Sequence, residues 1–114
     1  MPYYSGAFMS GDFTLALNYD QLEENGIKLL NLNNISLVVV KYNGEVFSLN
    51  SRCPHMGCSL AKGTVKDYFL SCPCHGWSFD IRTGEYKVNK NIKLETYQTK
   101  VESGNIFVKA VSEF

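Results

Sequence analysis

Residues 51–58, SRCPHMGC, and residues 72–80, CPCHGWSFD, decide how this chain is read. All of its 4 Cys and 2 His lie between Cys53 and His75, a clustering that chance scattering would not produce. Each stretch offers one thiolate and one imidazole at short spacing, Cys53 with His55 as C-x-H and Cys72 with His75 as C-x-x-H. Two thiolates with two imidazoles suit either Zn²⁺ or an iron–sulfur centre in which two His replace two Cys on one iron. Structural zinc sites usually draw each close pair from one residue type, whereas here each stretch supplies one of each. Pro54, Gly57, Pro73 and Gly76 are loop formers, since Pro fixes φ and Gly allows close backbone approach.

In this mixed pattern the chain resembles the Rieske [2Fe–2S] family. The likeness is carried by Cys53-Pro54-His55-Met56-Gly57-Cys58 and by Cys72-Pro73-Cys74-His75-Gly76, which match both cluster loops of that family. The resemblance implies one [2Fe–2S] cluster, with Cys53 and Cys72 on the inner iron and His55 and His75 on the outer one. It also implies a disulfide between Cys58 and Cys74, the pair carried by respiratory and photosynthetic Rieske proteins and generally lacking in the ferredoxins of oxygenase systems. Such a bridge would remove denatured-chain entropy worth roughly 3 kcal/mol. High-potential members place Ser directly after His-Gly and Tyr two residues later. Trp77 and Phe79 stand at those positions here, which implies a midpoint below theirs.

With 114 residues the chain makes one domain, large enough for a core and small enough to gain from a metal centre and a staple. Its 11 Lys and Arg balance its 11 Asp and Glu, so no global field recruits nucleic acid or an anionic membrane. No basic segment followed by a long apolar stretch opens the chain, and its longest aliphatic run is Leu37 to Val40. Neither a signal peptide nor a membrane anchor is therefore expected, and the reading is of a soluble, cytoplasmic protein. Membrane-tethered Rieske subunits differ in carrying an N-terminal anchor.

Alternation of apolar and polar residues predicts strands over Asp12–Leu17, Ile27–Leu32, Ile35–Tyr42 and Glu45–Leu49. Asn43-Gly44 between the last two is a preferred type I′ hairpin turn. Pro2–Ser10 reads as an irregular arm, and Asp20–Glu24 as a helical turn capped by Asp20. Thr64-Val65, Tyr68–Ser71 and Ser78–Ile81 are short strands around the second motif. Lys93–Val101 and Ile106–Val111 form a closing hairpin around Ser103-Gly104-Asn105. The fold class is all-β. Resemblance adds a single Rieske domain over residues 1–114, an antiparallel base with a cluster-binding subdomain inserted at about 51–82. Many relatives shield the third side of the cluster with a Pro-containing loop, but Glu85–Leu94 has no proline.

No nucleophile–base pair, phosphate loop, nicotinamide or flavin fingerprint, or open iron triad accompanies the motifs, so the chain is not expected to be an enzyme. It resembles a Rieske-type ferredoxin, a monomeric one-electron carrier between a reductase and an acceptor oxidoreductase. The second reading is an electron-delivery component of a larger oxidoreductase, such as a ring-hydroxylating oxygenase system. A third is a zinc-stapled interaction module. Met56, Trp77 and the basic run Lys87, Lys90 and Lys93 are candidates for the surface that meets a partner.

Overall fold

The computed structural model describes residues 13–54, 57–74 and 76–111. Its strands are β1 (Phe13–Asn18), β2 (Ile27–Leu32), β3 (Ile35–Tyr42), β4 (Glu45–Asn50), β5 (Thr64–Lys66), β6 (Phe69–Ser71), β7 (Ser78–Asp80), β8 (Thr96–Tyr97), β9 (Thr99–Glu102) and β10 (Asn105–Lys109). Short 3₁₀ turns occupy Tyr19–Gln21 and Leu60–Lys62. Among the described residues, all strand pairs are antiparallel and form three sheets, β2-β3-β4-β8, β9-β10-β1 and β5-β6-β7.

The organising strand is β3, whose β-branched run favours a pleated backbone. Leu37, Val38, Val39 and Val40 are each 0% exposed, so both faces of this strand are covered. The faces separate by the period of two. Leu37 and Val39 pack with Leu22, Tyr97, Ile106, Val108 and Ala110, the base core. Val38 and Val40 pack with Leu49, Leu60, Leu70, Phe79, Ile81, Leu94, Cys53 and Cys72, the upper core. Full burial of each such aliphatic side chain is worth about 1.5–3 kcal/mol.

Among the described residues, four two-residue turns have both central residues at positive φ: Asn33-Asn34, Asn43-Gly44, Asp67-Tyr68 and Ser103-Gly104. The predicted Asn43-Gly44 hairpin is among them, and its two amides donate to the Glu24 carboxylate, Gly44 at 3.1 Å. Tyr68 is not a strand residue as the alternation suggested, since it has φ 68°. A bulky residue in that region is uncommon. Its ring is held edge-on to Tyr42 at 4.6 Å and lies under the Arg82 guanidinium at 4.3 Å.

Two other expectations are corrected. The predicted helical turn is a 3₁₀ turn over Tyr19–Gln21, and its N-cap, two residues before Asp20, is Asn18, whose amide donates to Gln21 Oε1 at 3.1 Å. The predicted strand Lys93–Val101 is two strands. β8 pairs with β4 in the four-stranded sheet, and after Gln98 the chain passes to β9, which pairs with β10. The chain thus leaves the four-stranded sheet after Asn50 and rejoins it at Thr96, and the excursion between them carries both motifs. The Asn50 amide donates to the Glu95 carbonyl at 2.9 Å, pinning the two ends of that excursion together.

Candidate metal centre

The first motif leaves β4 through Ser51, which is buried and shares a 2.8 Å hydrogen bond with Ser36 Oγ on β3. The Ser51 carbonyl accepts from the Leu60 amide at 2.7 Å, closing the loop at its base. Within it, the Cys53 amide donates to the Cys58 carbonyl at 2.9 Å and the Gly57 amide to the Cys53 carbonyl at 2.7 Å. The second motif lies between β6 and β7 and repeats this pattern. The Cys72 amide donates to the Trp77 carbonyl at 2.7 Å and the Gly76 amide to the Cys72 carbonyl at 3.0 Å. Each motif is therefore a Cys-Pro-x-x-Gly-x turn with the same backbone closure. The imidazole comes third in the first turn and fourth in the second.

Gly57 and Gly76 have φ 72° and 74°, where a side chain would be strained, and no described atom lies within 4 Å of the place a Cβ would take. Cys53 and Cys72 are 1% and 3% exposed, and both stand outside the disulfide that joins Cys58 to Cys74. That bridge ties the two loops, with Cα atoms 6.5 Å apart. The expected disulfide is thus present. Two are buried thiols at equivalent places in the two turns, and two are bridged. His55, Met56 and His75 lie outside the described residues.

Around the second loop is an aromatic group that the sequence did not single out as one. Trp77 is half-buried and stacks on Tyr86 with centroids 4.1 Å apart and planes 6° apart. Phe79, fully buried, is 5.6 Å from Tyr86 and 6.3 Å from Trp77. Tyr86 belongs to the proline-free stretch, which folds as a tight excursion. The Tyr86 amide donates to the Ile92 carbonyl at 2.8 Å, and the Lys87 amide to the Ser78 carbonyl at 2.8 Å. Lys87, Lys90 and Lys93 are exposed on it, and Val88 is 80% exposed between them. Nothing in the sequence marked Tyr86, because only the folded chain brings it against Trp77.

Asp80, at the end of β7, forms two side-chain hydrogen bonds to Arg82, each 3.0 Å. Burial opposes its ionisation, but the bonds and charge of Arg82 outweigh that and hold the carboxyl below its ordinary value. Burial likewise lifts the Tyr97 phenol, where the chain changes sheets. A groove of about 690 Å³ runs along that junction, lined by residues such as Phe47, Arg82 and Tyr97 and not by the two motifs.

The protein-family model of the Rieske [2Fe-2S] domain matches residues 12–98. The chain belongs to this family. Its cofactor is a Rieske-type [2Fe–2S] cluster, and the two buried thiols in matching turns fit such a group. It is 33% identical to human apoptosis-inducing factor 3 over 90 residues, which is 78% of this chain and 15% of that protein. It is also 33% identical, over 79 residues, to the ferredoxin subunit of the 3-phenylpropionate/cinnamic acid dioxygenase of Photorhabdus laumondii, covering 68% of this chain and 75% of that one. A solved complex of reduced oxygenase and oxidised ferredoxin in carbazole 1,9a-dioxygenase contains a chain of the same fold. Its TM-score is 0.78 at 21% identity, over 85% of this chain and 92% of that one. The chain thus spans a small part of the apoptosis-inducing factor and most of the small ferredoxin relative. No helix among the described residues is long and apolar enough to cross a membrane.

Proposed function

We propose that this chain is a Rieske-type ferredoxin, a cytoplasmic, monomeric carrier that takes one electron at a time from a reductase and passes it to an acceptor oxidoreductase. The observation that carries this reading is the pair of buried thiols, Cys53 and Cys72, at equivalent positions of two turns bound together by Cys58–Cys74. Cys53 and Cys72 hold the inner iron, His55 and His75 the outer iron, and residues 51–82 form the cluster-binding part of a single domain. When bound, the cluster supplies one-electron chemistry, with a potential set by ligand type and by hydrogen bonds to sulfur.

The chain's own contribution is placement and shielding. Backbone turns fix the thiols, the upper core keeps water from them, and Trp77 and Tyr86 wall the second loop. Trp77 and the fully buried Phe79 bring no hydroxyl to the positions where high-potential relatives have one, which supports a lower midpoint than theirs.

Relatives that are components of oxygenase systems support a protein partner, so delivery to a larger oxidoreductase such as a ring-hydroxylating oxygenase is the second form of the same role. Met56, Trp77, Lys87, Lys90 and Lys93 form the surface a partner meets, with the exposed lysines steering an acidic one. Replacing the three lysines by Gln should lower the association rate with the electron-transfer partner and flatten its salt dependence. Exposed charges are screened over about 10 Å at 0.1 M ionic strength. Stopped-flow reduction across a salt series reads this directly, and an unchanged slope removes the lysines from the interface.

A further inference from the structure

The disulfide has a third sulfur beside it. The Sγ atoms of Cys58, Cys72 and Cys74 all lie within 4.8 Å of one another. Their exposure is graded, with Cys72 buried, Cys58 half-buried and Cys74 exposed. A tetrahedral zinc–thiolate centre has Zn–S bonds of about 2.3 Å, which sets its sulfurs roughly 3.8 Å apart. Once the disulfide opens, three sulfurs already within 4.8 Å of one another need only small movements to reach that spacing. The frame around them is held by backbone hydrogen bonds as well as by the bridge. Each turn is closed by its own backbone bonds, Cys53 to Cys58 and Gly57 to Cys53 in one, Cys72 to Trp77 and Gly76 to Cys72 in the other. Leu60 further ties the first turn back to Ser51. Reduction therefore leaves three thiols gathered at one place, with an accessible side at Cys74.

We propose that reduction of Cys58–Cys74 creates a second metal site, in which Cys58, Cys72 and Cys74 bind a thiophilic divalent cation of the zinc class in place of the [2Fe–2S] cluster. The three-sulfur site rests on the geometry above. Only its competition with the cluster rests on the proposed ligation by Cys72. Exposed disulfides are the readily reduced ones, because attack by a thiolate needs access to a sulfur. A dithiol reductant attacks at Cys74 Sγ, the S–S bond breaks, and Cys58 leaves as a thiolate. The second thiol of the reductant then displaces Cys74, and the reductant departs as its own disulfide. Two electrons and two protons pass to the protein, giving two thiols, whose protons go to solvent as zinc binds. The bridge thus acts as a lock that keeps the thiol set reserved for the cluster while it is oxidised.

The test uses the full chain as purified with its cluster, kept anaerobic and challenged with zinc chloride, a water-soluble phosphine, both, or neither. The phosphine reduces the disulfide to two thiols and leaves as its oxide, taking its oxygen from water. Two quantities are read: zinc retained after gel filtration and loss of visible absorption. With both reagents, about one zinc ion per chain should be retained, and the colour should fade several-fold faster than with either alone. In Cys58→Ser and Cys74→Ser, that retention in the presence of phosphine should be lost. Equal zinc retention without phosphine, no retention with it, or full retention in either variant would each overturn the proposal. A chain that is colourless and iron-free as purified would instead sink the cluster reading, while the comparison with and without phosphine would still decide the zinc site.

Discussion

The two faces of β3 look onto cores of different kinds. On one side Leu37 and Val39 meet Leu22, Tyr97, Ile106, Val108 and Ala110, a base closed by side-chain packing. On the other, Val38 and Val40 meet a core that includes the thiols of Cys53 and Cys72, beneath a sheet whose strands are each 3 residues long. Strands that short fall at the low end of what forms stable sheets, and small units of this kind gain their stability from staples and metals. The upper half accordingly carries the disulfide and the motifs. In the base, stability is a matter of burial. In the upper half it cannot be separated from the site.

That difference can be broken by mutation. The largest effect is expected from Leu37→Ala, which empties part of the base core and should cost about 2–5 kcal/mol. Its signature is a lowered denaturant midpoint for the whole chain, with visible absorption and far-UV signal lost together. Colour lost while the far-UV signal stayed native would show that Leu37 supports the upper half rather than the base.

Next comes the staple. Cys58→Ser or Cys74→Ser should cost roughly 3 kcal/mol in the loop-closure account, and colour should fade on heating before the base unfolds. Cys53→Ser or Cys72→Ser should prevent the visible spectrum altogether. Assembly that survives Cys53→Ser and fails in Cys58→Ser would reverse the assignment of ligands and staple.

The smallest expected effect sharpens the comparison at the edge of the upper sheet. Arg82 holds the Asp80 carboxyl below its ordinary value of 3.8. A depressed carboxyl contributes stability above that ordinary value, and the contribution is lost as pH falls through the lowered folded-state value. Asp80→Asn should therefore lower Tm slightly near neutral pH and flatten its fall under acid conditions. A variant with the wild-type acid profile would show that this pair contributes nothing, as many surface pairs do.

Much of this architecture was legible because local chemistry and final structure agree. Asn43-Gly44 asked for a type I′ turn and made one, and the β-branched run of β3 made the central strand. What escaped was decided at a distance. Nothing in Lys93–Val101 shows that the chain changes sheets after Gln98, because a strand that changes partner keeps alternating. Tyr68 has strand propensity but sits in a turn, where Tyr42, Phe47 and Arg82 hold its ring. At the site, the spacing of Cys53, His55, Cys72 and His75 carried the resemblance to the Rieske family, to which the chain belongs. The Trp77–Tyr86 stack was not readable, since it joins two segments whose contact depends on the fold.

The most direct measurement of the central claim, one Cys and one His from each loop on a single [2Fe–2S] cluster, is electron paramagnetic resonance of the reduced protein with its His nitrogens isotopically labelled. About two irons per chain are expected, with hyperfine coupling from two His nitrogens that is lost with the spectrum itself in Cys53→Ser. A reduced cluster with no His coupling, or a colourless chain holding one zinc ion as isolated, would contradict it.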